Sequence, residues 1–123
     1  MSQARGTMFK QREIVLVPFP YSDYSAIKKR PVLIISNDDY NQRFQDVIVC
    51  VITSNRYIDD SSIELSDRDI EYGLLPEKSV IKAHKLFTVQ QDRILKKFSS
   101  INAGLFEGVV LQINKVIRVK TDK

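Results

Sequence analysis

Two short runs limit what this chain can fold into more than any other feature. Val32-Leu33-Ile34-Ile35-Ser36 and Val47 to Thr53 are apolar at successive positions, and β-branched through much of their length. Read as strands, they need cover on both faces. No helical pattern lies between strands in the repeating order that a parallel sheet requires, which excludes a doubly wound fold. What remains is mainly β: a small antiparallel barrel, with its interior on one face of these strands and a helix or partner subunit on the other.

The other segments agree. Ile14-Val15-Leu16-Val17-Pro18-Phe19 reads as a first strand ended by Pro18 and Pro20, because proline cannot donate to a ladder. Tyr21 to Lys29 is a polar loop closed by Arg30-Pro31. Asn37 to Phe44 is a turn or short helix. Asp59-Asp60-Ser61-Ser62 is a turn signal leading into a short strand, Ile63 to Leu65. Asp67 to Pro76 is a polar connection. Ser79 to Val89 alternates, and Lys85 breaks the alternation, so a bulge is expected there. Ile94 to Ile101 gives one more strand. Phe106, Val109, Val110, Ile113, Val116 and Ile117 then follow the spacing of one helix face, with Asn102 or Ser100 as cap. Residues 1–12 read as a flexible N-terminal segment and 13–119 as a single barrel domain, a size that suits 123 residues in all.

The chemistry is bounded first by scarcity. One histidine and one cysteine cannot assemble a His/Cys zinc site. Phosphate-loop and Gly-x-Ser-x-Gly motifs are missing. The Asp38-Asp39 and Asp59-Asp60 pairs read as turn formers, with a carboxylate-bound Mg2+ nuclease site as the alternative. Expectations are therefore no metal and no cofactor. Apolar runs are too short to span a bilayer and Met1 to Arg12 has no apolar core, which predicts a cytoplasmic protein. Lone Cys50 agrees with that setting. Nineteen Lys+Arg against 15 Asp+Glu give a net charge of +4, a mild tilt toward a polyanionic partner such as nucleic acid.

Cations and hydroxyls carry more information. Arg30 sits at a loop-to-strand junction behind Lys28 and Lys29. Thr53 and Ser54 end an apolar strand at its rim. Lys82 and His84 share one strand face, roughly 7 Å apart by strand rise. Metal-free RNA cleavage needs such groups: a base for the 2′-hydroxyl, an acid for the leaving oxygen and fixed positive charge at the phosphorane. Each also has an ordinary reading: a surface ion pair for Arg30, a strand residue for Thr53, a structural imidazole for His84 and a solvated face for Lys28-Lys29. The residues alone therefore define a small basic barrel and leave its chemistry open.

Taken together, Ile14 to Pro20, Lys29-Arg30-Pro31-Val32-Leu33-Ile34-Ile35-Ser36-Asn37, Ile52-Thr53-Ser54-Asn55, Gly73-Leu74 and Ser79 to Thr88 resemble the PemK/MazF toxin family from about Glu13 to Ile117. The resemblance implies an SH3-like barrel with a C-terminal helix, of the type shared with CcdB. It also implies a homodimer, and a sequence-specific, metal-independent endoribonuclease that cleaves single-stranded RNA and is neutralised by a cognate antitoxin. By position, Arg30 matches the family's catalytic arginine and Thr53 its hydroxyl residue near the scissile phosphate. Lys82 falls where some members carry a catalytic arginine. His84 stands in place of an aspartate, Val51 of a proline, Arg12 of a glycine before the first strand and Ala26 of a loop glycine.

The expected catalytic set is Arg30, Thr53, Lys82 and His84, with Lys28, Lys29 and Ser54 contacting RNA. His84, kept neutral by nearby Lys82 and Arg30, would accept the 2′-hydroxyl proton. A homodimer is expected also because two-faced apolar strands plus the helix stripe exceed what one small barrel buries. The competing readings are a CcdB-like toxin that poisons a topoisomerase by binding, and an inactive RNA- or antitoxin-binding module.

Overall fold

A computed structural model describes residues 9–20, 27–54, 58–73 and 78–121. In chain order the elements are β1 (Glu13–Pro20), β2 (Ile27–Ile34), α1 (Asp38–Arg43), β3 (Asp46–Thr53), β4 (Ser62–Leu65), β5 (Ser79–Gln90), β6 (Lys96–Ser100) and α2 (Ala103–Ile117), with single 3-10 turns after β4 and β5. The six strands form one antiparallel sheet in the order β4-β5-β3-β2-β1-β6. The sheet curls until its ends meet. Ile70, beyond β4, bridges Ile101, beyond β6. Glu71 N–H donates to Ser100 O at 2.8 Å, and Asn102 N–H to Asp69 O at 2.8 Å.

The two faces of the curled sheet hold two apolar clusters, as the two-faced strands require. Ile14, Leu33, Cys50, Ile52, Ile81 and Ala83 pack with Phe106 and Val109 of α2. Val15, Val17, Val32, Ile34, Val47 and Val49 form the second cluster, closed by Phe9, Phe87, Val89 and Ile94. Long strand β5 serves both because it breaks register. Cys50 pairs with Leu86 but Val51 with Lys82, so Ala83, His84 and Lys85 form the expected bulge and the strand bends.

The strands themselves need no second subunit, since every member of the second cluster is fully buried in one chain. That part of the argument for a dimer fails. The exposed large apolar side chains include Val110, Leu111, Val116 and Ile117 on α2.

Two strand boundaries differ from the sequence reading. β1 runs through Pro18 and Pro20, because β6 pairs with β1 only as far as Leu16 and so asks no ladder bond of either proline. β2 starts at Ile27, so Lys28, Lys29 and Arg30 are strand residues rather than loop. Pro31 is tolerated because β3 pairs with β2 only from Val32 onward.

Caps and turns follow the sequence closely. Asn37 accepts from Tyr40 N–H at the start of α1, and Asn102 from Leu105 N–H at the start of α2. Asp59 accepts from Ser61 N–H at 2.9 Å and Ser62 Oγ–H at 2.8 Å, the turn its sequence foretold.

Residues 9–12, assigned with the flexible start, are tied down. Arg12 lies in the left-handed region with φ +79°. Its N–H donates to Ile34 O at 2.9 Å and its carbonyl accepts from Ile101 N–H at 3.0 Å. The glycine that the resemblance implies at this place has a physical reason, since only glycine adopts that φ without strain. Residues 1–8 and Ala26 lie outside the described residues.

Candidate active site

The β2–β3 register carries the site. Pairing runs Ile34 with Val49, Leu33 with Cys50 and Val32 with Val51. β2 and β3 pair no further than Val32 with Val51, and Arg30 and Thr53 lie two residues beyond that last pair on their strands. Both residues line a cleft of about 450 Å3 together with Lys28, Lys29, Ser54 and Ser79. Arg30 is half-buried, opposite Val17 on β1. Its guanidinium carbon lies 5.7 Å from the centre of the Phe19 ring, a cation–π contact that holds the planar cation at the mouth of the sheet. Lys28 and Lys29 are exposed and give the cleft a cationic rim.

Five residues named from sequence thus meet in one cleft: Arg30, Thr53, Ser54, Lys28 and Lys29. The other two, Lys82 and His84, sit in a separate cluster. Lys82 pairs with Val51 and so shares the sheet face of Thr53. Its side chain is buried, however, and its ammonium is drawn toward the β4 edge. Lys82 Nζ donates to Ser62 Oγ at 3.0 Å and to Asp59 Oδ2 at 3.4 Å. His84 Nε2 lies 4.0 Å from the same Asp59 oxygen.

Asp59 is the residue that sequence reasoning missed at this cluster. Its turn role was legible, but nothing in the spacing shows that the turn folds back over β5. The Ser62 hydroxyl, then Ser61 N–H and the Lys82 ammonium, hold its carboxyl below the ordinary 3.8. Lys82 and His84 do converge, as expected of one strand face, but on a carboxylate rather than on the cleft.

Burial pushes the Cys50 thiol up to about 12, which makes it a packing residue and no nucleophile. Among the described residues no three His, Cys, Asp or Glu side chains gather as a metal site, and no helix is long and apolar enough to cross a membrane.

A curled six-stranded antiparallel sheet, closed by a C-terminal helix and carrying a basic, hydroxyl-lined cleft, is the architecture of a small SH3-like barrel. The family model of the PemK-like, MazF-like toxin of type II toxin–antitoxin systems matches residues 10–117. The chain belongs to that family.

Similar solved structures agree on the fold. A MazE–MazF complex from Deinococcus radiodurans shares 15% identity at a TM-score of 0.77, over 94% of this chain and 100% of that one. An endoribonuclease in complex with its cognate antitoxin, from a mycobacterial species, shares 14% at 0.74, over 92% and 98%. Mycobacterium tuberculosis toxin MazF-mt6 shares 19% at 0.70, over 89% and 100%. No curated protein sequence matches the chain.

Proposed function

We propose that this protein is a metal-independent, sequence-specific endoribonuclease toxin of single-stranded RNA, acting in the cytoplasm as a homodimer and neutralised by a cognate antitoxin. The observation that carries this reading is the shared cleft of Arg30 and Thr53, rimmed by Lys28 and Lys29. Membership of the toxin family supports it. So does the name endoribonuclease borne by structures of the same fold.

The reaction is a transesterification at phosphorus whose protons pass through water. The 2′-oxygen bonds to phosphorus as the bond from phosphorus to the 5′-oxygen breaks. Water takes the proton of the 2′-hydroxyl and supplies one to the departing 5′-oxygen, because Arg30 stays protonated and the Thr53 hydroxyl is no base. The products are a 2′,3′-cyclic phosphate and a 5′-hydroxyl. Arg30 would stabilise the extra charge on the phosphorane, and the Thr53 hydroxyl would donate to a non-bridging oxygen. Lys28, Lys29 and Ser54 would hold the flanking backbone. Lys82 and His84 do not line the cleft, so the reading rests first on Arg30 and Thr53.

Incubating the purified protein with a long RNA in EDTA, and mapping the new ends, tests this. Cyclic-phosphate and 5′-hydroxyl ends at recurring sequences are expected. Intact RNA would instead favour a toxin that acts by binding, of the CcdB kind, or an inactive module.

A further inference from the structure

A second concavity lies beside Phe19, the ring that Arg30 contacts, and the proposed chemistry leaves it unused. It is about 540 Å3, within the roughly 300–1,000 Å3 of cavities that hold small organic ligands. Pro18, Phe19, Phe87 and Val89 line it, with Arg93 beside them. Phe19 and Phe87 stand with ring centres 5.5 Å apart and planes tilted by 56°. Phe87 belongs to the outer half of β5, beyond the bulge, and meets Phe19 of β1 there.

One side chain of the cleft reaches the wall of this concavity. Arg30 lines the cleft, and its guanidinium lies 5.7 Å from the centre of the Phe19 ring. Phe19 also pairs directly with Lys28 across β1–β2. An aromatic wall thus has cations near it: Arg30 and Lys28 beside Phe19, and Arg93 in the lining. Flat apolar walls with a cationic surround complement an unstacked nucleobase and its phosphates.

We propose that the Phe19–Phe87 concavity is a nucleobase subsite, which takes a base of the RNA next to the scissile phosphate and stacks it on aromatic rings. The inference rests on the reading of the Arg30–Thr53 cleft as an RNA-cleaving site. It gives that cleft a source of sequence preference and of geometry. A base drawn out of the stack lets the neighbouring 2′-oxygen turn toward its phosphorus, the alignment that in-line attack needs.

The test is a cycle between protein and substrate. Phe87→Leu keeps an apolar side chain but removes the ring; Phe87→Tyr keeps the ring. Binding is measured with oligoribonucleotides made uncleavable by a 2′-deoxy residue at the mapped cleavage site, each lacking one base in turn. Losing one particular base near that site should weaken binding about 5- to 100-fold. Phe87→Leu should cost a similar factor on the intact oligonucleotide and nothing further on the one lacking that base. Phe87→Tyr should restore binding.

Equal sensitivity of wild type and Phe87→Leu to every missing base overturns the subsite and leaves the cleavage reading in place. If Phe87→Leu instead changes the mass seen by light scattering with RNA binding intact, the concavity is a contact between copies and the inference is wrong. Failure of the wild-type protein to bind or cut any RNA removes both readings.

Discussion

Arg12 offers a test of the fold in which glycine should outperform alanine. Its φ of +79° costs a non-glycine residue about 1–2 kcal/mol. Two things hold it there. Its backbone ties β2 to the end of β6, through Ile34 O and Ile101 N–H. Its Nη1 donates to Ile101 O at 2.7 Å, a charge-assisted bond worth at most about 1.5–3 kcal/mol, and less at a partly exposed site. The ion pair to Glu71 at 3.3 Å is half-exposed and adds little.

Arg12→Ala loses the side-chain bonds and keeps the strain, so about 1–2 kcal/mol of destabilisation is expected. Arg12→Gly loses the same bonds but relieves the strain, partly offset by the freer unfolded chain. Glycine should therefore exceed alanine by about 1 kcal/mol, a shift of roughly 3–5 °C in Tm for a domain of this size. Urea unfolding of both variants, with unchanged m-values, reads the difference directly. Alanine as stable as glycine, or more so, would show that residue 12 does not hold this backbone conformation in solution.

Gly73→Ala should destabilise by about 1–3 kcal/mol, because φ is +72° and a Cβ would meet Phe98 O at 2.8 Å; a melt at the wild-type temperature would refute this. The carboxyls of Asp59 and Glu71 are held below their ordinary 3.8 and 4.5 by hydrogen bonds, first from Ser62 and from Ser100 respectively. Their stabilisation is complete above those values and is lost as pH falls through the lowered ones. Thermal melts should therefore drop on acidification below about pH 4, and less so in an Asp59→Asn, Glu71→Gln double variant. His84→Gln should cleave RNA within a few-fold of the wild-type rate and with the same pH profile, since the imidazole lies beside Asp59 outside the cleft. A loss of ~100-fold together with the lower pH limb would return it to the catalytic set.

The strands were legible because their apolar periodicity is strong, and the Asn102 cap and the bulge near Lys85 because each breaks a local pattern. Prolines misled the reading of β1 and β2. Whether a proline ends a strand depends on which side of it is paired, and that is fixed by where β6 and β3 stop, at long range in sequence. Arg30 and Thr53 could be named singly, but that they line one cleft depends on how β2 and β3 come together at long range. Lys82 and His84 were placed on one face, and what that face meets is decided by the Asp59 turn. The dimer argument joined two-faced strands to the helix stripe; α2 and the bent half of β5 cover the strands within one chain, while Val110, Val116 and Ile117 of the stripe stay exposed.

Single-turnover cleavage by Arg30→Ala tests the central claim most directly. The variant is compared with wild type on the same RNA, in EDTA, after matched thermal melts show that both are folded. A donor at a developing negative charge is worth roughly 100- to 1000-fold in rate. Loss of that size with the fold intact is the expected result. Cleavage at the wild-type rate would contradict the assignment of the Arg30–Thr53 cleft as the site of RNA scission.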